Sequence, residues 1–79
     1  MAPTVLKIKN FRFFFNSREE SRKHIHIVSA EGTAKFWLEP TVSLADFYNL
    51  SEKELNEIKK IADERKNEFI DEWNKHFGQ

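Results

Sequence analysis

The residues able to do chemistry lie in one stretch, Arg22-Lys23-His24-Ile25-His26-Ile27-Val28, where two of the three histidines stand one residue apart. Successive side chains of a β-strand point to opposite faces, so His24, His26 and Val28 share one face and Ile25 and Ile27 the other. Two isoleucines require a core. Two neighbouring imidazoles titrate near neutral pH, and such a pair can serve as general acid and base on a phosphodiester. The same pair is half of a divalent-metal site, which Glu31 or Glu39 would have to complete. A solvated or partner-covered strand face has the same pattern. No Ser/His/Asp arrangement, phosphate-binding glycine loop or zinc-ligand cluster accompanies it.

The elements that must position these histidines are short strands rich in aromatics. Thr4 to Lys9 alternates, and its lysines suit an edge strand because they discourage further pairing. Phe11 to Asn16 follows, with Phe11, Phe13 and Phe15 on one face and Arg12 and Phe14 on the other. Asn16 to Ser21 is polar and reads as a connection. After the His24–Ala30 strand, Glu31-Gly32-Thr33 reads as a tight turn, with glycine supplying a positive φ. Ala34 to Glu39 is the next strand, stopped by Pro40. Thr41 to Ala45 reads as a last short strand, and Asp46 to Leu50 as a turn into the helix.

The helix signal is the strongest in the chain. Ser51 and Glu54 form a capping box, and Leu50 and Leu55 stand where a hydrophobic staple would form. Leu55, Ile58, Ile61, Ala62, Phe69, Ile70, Trp73 and Phe77 recur at helical spacing, and Gly78 supplies a stop. Lys59/Asp63, Lys60/Glu64 and Asp71/Lys75 are opposite charges four apart. An unbroken helix over 52–77 would be about 39 Å long, against roughly 20 Å for a six-residue strand. It must overhang, bend or break, and the polar gap from Asp63 to Glu68 is the place.

Composition bounds the rest. With 79 residues the chain reads as one domain, 1–79, with the sheet over about 4–45 and the helix over about 51–77. A domain this small buries only about 60–65% of its unfolded surface. It has no cysteine, so neither disulfides nor thiolate-bound metals add stability, and eight Phe, two Trp and one Tyr take up part of that role. The lack of cysteine, of a signal-peptide pattern and of a membrane-length apolar run gives the reading of a cytoplasmic protein. Net charge is zero, but residues 1–39 carry seven Lys/Arg against four Glu, and residues 40–79 six against nine Asp/Glu. Formal neutrality argues against tight non-specific nucleic-acid binding.

These pieces assemble into an α+β domain, a small antiparallel sheet of about four strands packed on one face by a long C-terminal helix. Phe11, Phe13, Phe15, Ile25, Ile27, Ala34, Phe36 and Leu38 face the helix. The opposite face carries Arg12, Phe14, His24, His26, Val28, Lys35 and Trp37, and the chain has no second amphipathic element to cover it. This surface admits three readings: nucleic-acid binding or cleavage, metal binding, or a protein interface, where Trp, Phe and Arg are the usual anchors. Phe14 and Trp37 read as contact residues ahead of base-stacking platforms. Trp73 and Phe77 read as core, and His76 as a cation favoured by the helix dipole.

The order of motifs resembles a known family. An early Pro-Thr-Val and a Phe-Arg-Phe-Phe-Phe precede Asn-Ser-Arg-Glu-Glu, His-Ile-His-Ile and Ala-Lys-Phe-Trp-Leu-Glu-Pro; Ser-x-x-Glu-Leu and Glu-Trp-Asn-x-x-Phe follow. This is similar to the bacterial domain of unknown function 4160 family over nearly the whole chain. Arg22-Lys23 stand where many members carry prolines, which adds charge beside His24. The resemblance implies a small bacterial protein, often encoded beside a short protein of the domain of unknown function 2442 family, in an arrangement similar to a toxin–antitoxin pair. It implies no established activity. The leading expectation is therefore a protein-binding component of such a module, with a neighbouring gene product or a second copy as partner, no cofactor and no membrane. The alternative is a small ribonuclease-type enzyme or nucleic-acid binder, with His24 and His26 catalytic and Arg12 or Lys35 assisting.

Overall fold

The computed structural model describes residues 4–15 and 22–77. The connection expected over Asn16–Ser21 and the helix stop expected at Gly78 lie outside the described residues. Five strands, β1 (Thr4–Ile8), β2 (Phe11–Phe14), β3 (His24–Val28), β4 (Thr33–Trp37) and β5 (Ser43–Tyr48), precede two helices, α1 (Glu52–Glu64) and α2 (Lys66–Phe77). Each strand pairs antiparallel with the next, giving the sheet order β1-β2-β3-β4-β5. The α+β class read from the sequence holds. The sheet has one strand more than the four expected, and the helical segment is two helices.

Alternation builds the core as anticipated. Phe11, Phe13, Phe15, Ile25, Ile27, Ala34, Phe36 and Leu38 are all buried, and Ile58, Ala62, Phe69 and Trp73 close over them. Phe13 stacks on Phe69 with ring centroids 5.5 Å apart, and Phe15 meets Trp73 edge-on at 5.5 Å. Leu55, Ile61, Ile70 and Phe77 pack around the margin.

The helix breaks inside the polar gap. Arg65 leaves helical geometry (φ −112°, ψ 19°), while its N–H still donates to the Ile61 carbonyl at 3.0 Å. The Phe69 N–H then donates to the Arg65 carbonyl at 2.9 Å, closing the first turn of α2. Lys66 Nζ donates to the Pro40 carbonyl at 3.2 Å, tying the start of α2 to the β4–β5 connection. At the other end the capping box is complete. The Glu54 N–H donates to Ser51 Oγ at 3.1 Å, and the Ser51 N–H to Glu54 Oε1 at 2.9 Å. Lys59 pairs with Asp63 at 2.8 Å as the four-residue spacing suggested, whereas Lys75 reaches Glu72 at 3.6 Å.

Gly32 differs from its expected role. Its φ lies outside the left-handed region; the residue is needed because a Cβ there would overlap the carbonyl oxygens of Tyr48 and Asn49. Asn49 holds the positive φ (56°) instead, and its Nδ2 donates to the Glu31 carbonyl at 2.7 Å. The β3–β4 turn and the end of β5 thus lock together. Ser29 completes the turn, its N–H donating to the Gly32 carbonyl at 2.9 Å.

Candidate functional site

Among the described residues, no element covers the sheet face opposite the helices. Its occupants follow from register. Arg12 pairs with Val28, Phe14 with His26, His26 with Lys35, and His24 with Trp37. Cross-strand partners share a face. Arg12, Phe14, His24, His26, Lys35 and Trp37 therefore stand together, as the sequence predicted.

The side chains form a continuous row across β2, β3 and β4. The Arg12 guanidinium carbon lies 4.9 Å from the centroid of the Phe14 ring. Phe14 stacks on His26 at 5.6 Å, His26 meets His24 edge-on at 5.2 Å, and His24 meets Trp37 at 5.8 Å. Two cations close the row. The Arg22 guanidinium carbon lies 4.3 Å, and Lys35 Nζ 4.6 Å, from the Trp37 ring centroid. Each such contact contributes roughly 0.5–1 kcal/mol at an exposed site. Arg22 is held in place by its Nε–H, which donates to the Glu39 carbonyl at 2.8 Å.

One member departs from the sequence reading. His24 shares the face but is only 2% exposed. It opens β3, where Trp73 of α2 reaches it with ring centroids 5.0 Å apart. Its Nδ1 lies 2.7 Å from the Arg22 carbonyl, an acceptor, so Nδ1 carries the proton in this contact. One imidazole edge is thus committed to backbone and the ring is sealed between Trp37, Trp73 and His26. His24 is enclosed and its Nδ1 edge is taken up by backbone, so the two histidines of the expected acid–base pair stand in different surroundings. His26 remains half-buried at the surface.

His26 borders a depression of about 330 Å³ whose lining includes Phe14, Thr33, Lys35, Asp46 and Tyr48. Asp46 and Tyr48 are not legible from the sequence pattern, which ends this strand at Ala45, three residues short of its end at Tyr48. Arg22 escaped it too, although it stands two residues before His24 and by alternation points the same way. Trp37 and Arg12 lie outside this lining, along the same row. Metal binding finds no support in the donor geometry. Among the described residues, no three His, Asp or Glu side chains come together to hold an ion. Glu39 instead approaches Lys23 at 3.8 Å. Nor is any described helix long and apolar enough to cross a membrane.

Comparison with known proteins adds one finding. Neither the search of curated proteins nor that of solved structures returns a match. The family model described as Domain of unknown function (DUF4160) matches residues 10–74, from the turn before β2 to within four residues of the end of α2. That span takes in every residue of the row and the buried residues of both helices, and the chain belongs to the domain of unknown function 4160 family.

Proposed function

We propose that this chain is the protein-binding component of a two-protein module resembling a toxin–antitoxin pair. It acts in the bacterial cytoplasm as a single domain, and its open sheet face receives the product of a neighbouring gene. The observation that carries the reading is the row of Arg12, Phe14, His26, Trp37, Arg22 and Lys35, uncovered among the described residues, in which the Phe14 and Trp37 rings lie against cations and His26 stacks on Phe14. Trp and Arg held rigid on a surface are the residues that anchor protein contacts, because little side-chain entropy remains to be lost on binding. Residues 1–39 supply this face with Arg12, Arg22 and Lys35, so it suits a partner with acidic side chains around an apolar centre. The ribonuclease alternative loses ground because one of its two imidazoles is sealed and bound to backbone.

Induced expression of each gene alone, and of both together, tests the proposal. Growth arrest by one product, relieved by the other, is expected, with relief abolished when Trp37→Ala replaces the wild type. Growth arrest by this chain alone with loss of total RNA, abolished by His26→Ala, would overturn the proposal in favour of the nuclease.

A further inference from the structure

The geometry points to a second interface, distinct from the open face: the free edge of β5 pairs antiparallel with β5 of a second copy of this chain. The two edges of the sheet are built differently. The β1 edge carries Lys7, a charge that discourages pairing, whereas Lys9 lies just past the strand and pairs with Glu57. The β5 edge exposes Leu44 at 41%, Phe47 at 48% and Tyr48 at 72%. Among the described residues, β5 has β4 as its one strand partner.

What commits the edge to a second copy is that β5 is complementary to itself. Leu44 pairs with Phe36 and Phe47 with Ala34, both core residues, so Leu44 and Phe47 stand on the helix side. Ser43 pairs with Trp37, Asp46 with Lys35 and Tyr48 with Thr33, so these three stand on the open side. The extra residue at the irregularity between Lys35 and Phe36 makes this possible, because it changes the parity of the strand midway. About a two-fold axis between Ala45 and Asp46, Leu44 then opposes the second copy's Phe47, and Ser43 opposes its Tyr48. Every outer pair matches faces. A shift of one residue either way sets Leu44 against Tyr48, or Ser43 against Phe47, across opposite faces, so the register is specified.

The size of the contact sets its strength. Leu44, Phe47 and Tyr48 expose together on the order of 300 Å² per copy. That is below the roughly 800 Å² per partner of a standard stable interface, so the dimer is a reversible, concentration-dependent one. Two features temper it. The Phe47 N–H donates to Asp46 Oδ1 at 2.8 Å, so this carboxylate caps a donor of the edge strand. In the dimer the two Asp46 side chains lie near the axis on one face and repel. Pairing also has a consequence for the open face. It joins two sheets into one of ten strands, with two aromatic–cation rows related by the two-fold axis.

Sedimentation velocity on the full chain, from about 1 μM to about 1 mM, is the test. Wild type is expected to dimerise within that range. Phe47→Lys should weaken self-association about tenfold or more, and Asp46→Asn, which keeps an acceptor and removes the charge, should strengthen it. Trp37→Ala should leave self-association unchanged, which separates this interface from the open face. Because the chain has no cysteine, a Ser43→Cys/Tyr48→Cys double variant should give a covalent dimer on oxidation, and Lys7→Cys should not. A wild type that stays monomeric throughout, or a dimer lost with Trp37→Ala and kept with Phe47→Lys, would overturn the proposal.

Discussion

At the scale of single residues, place along a strand decides what a side chain does. His24 and His26 have the same chemistry and the same face, yet His24 opens β3 under Trp73 and His26 stands two pairs further in. His24→Ala removes a buried ring and the Nδ1–H contact to the Arg22 carbonyl, so it should cost on the order of 2–4 kcal/mol of folding stability, read by denaturant unfolding. A wild-type midpoint in that variant would contradict the structural role. Alternation shows in the sequence, and with it the shared face. The roof over His24 does not, because it depends on the direction α2 takes after Arg65. A second residue-scale expectation concerns Glu57. The hydrogen bond from Lys9 holds its carboxyl below the usual range, with the Lys9 and Lys53 charges adding to the effect and burial opposing it. A depressed folded-state pKa stabilises the fold above the unfolded carboxylate value of about 4.3 and ceases to do so as pH falls through the folded one. Glu57→Gln should therefore flatten the acid limb of the stability–pH curve and leave its alkaline limb unchanged. The effect is small, because the pair is exposed.

At the scale of elements, two junctions carry the arrangement. The first is the contact of Gly32 with the end of β5. Gly32→Ala drives a methyl into the backbone of Tyr48 and Asn49, which cannot yield as a flexible side chain would. A loss of about 2–3 kcal/mol is expected in thermal or denaturant unfolding. Faster amide hydrogen exchange along Ser43–Tyr48 should accompany it, since this contact secures the strand's end. The second junction is the start of α1, where Ser51→Ala removes half of the capping box and should cost about 1 kcal/mol. These elements were unequally readable. The capping box, the apolar helix stripe and the break in the polar gap all follow from local sequence. The last three residues of β5 do not, because the bulge at Ala45 interrupts the alternation by which strands are recognised. Asp46 and Tyr48 are consequently not legible as residues that share the depression beside His26.

At the scale of the whole molecule, the chain divides into a sealed face and an open one. Both helices direct apolar residues to Phe13, Phe15, Ile25, Ile27 and Phe36, and among the described residues α2 touches the other side of the sheet at its His24 end, through Trp73. The strand and helix core was readable, since period-two strands and a period-3.6 helix must bury matching faces, whereas the burial of Val42, Leu50 and His24 follows from neither period. The use of the open face was not, because a row of aromatics and cations serves a protein, a nucleic acid or solvent equally well until burial and contacts discriminate among them. Under the function proposed above, the row is a surface for contact. The most direct test is calorimetric titration of the purified neighbouring-gene product into wild-type chain, Trp37→Ala and Arg12→Ala, with each variant's fold verified by circular dichroism. The account predicts that wild type binds and that Trp37→Ala, the centre of two cation contacts, loses about tenfold or more in affinity, with a smaller loss for Arg12→Ala at the row's end. Folded variants that bind as tightly as wild type would contradict it.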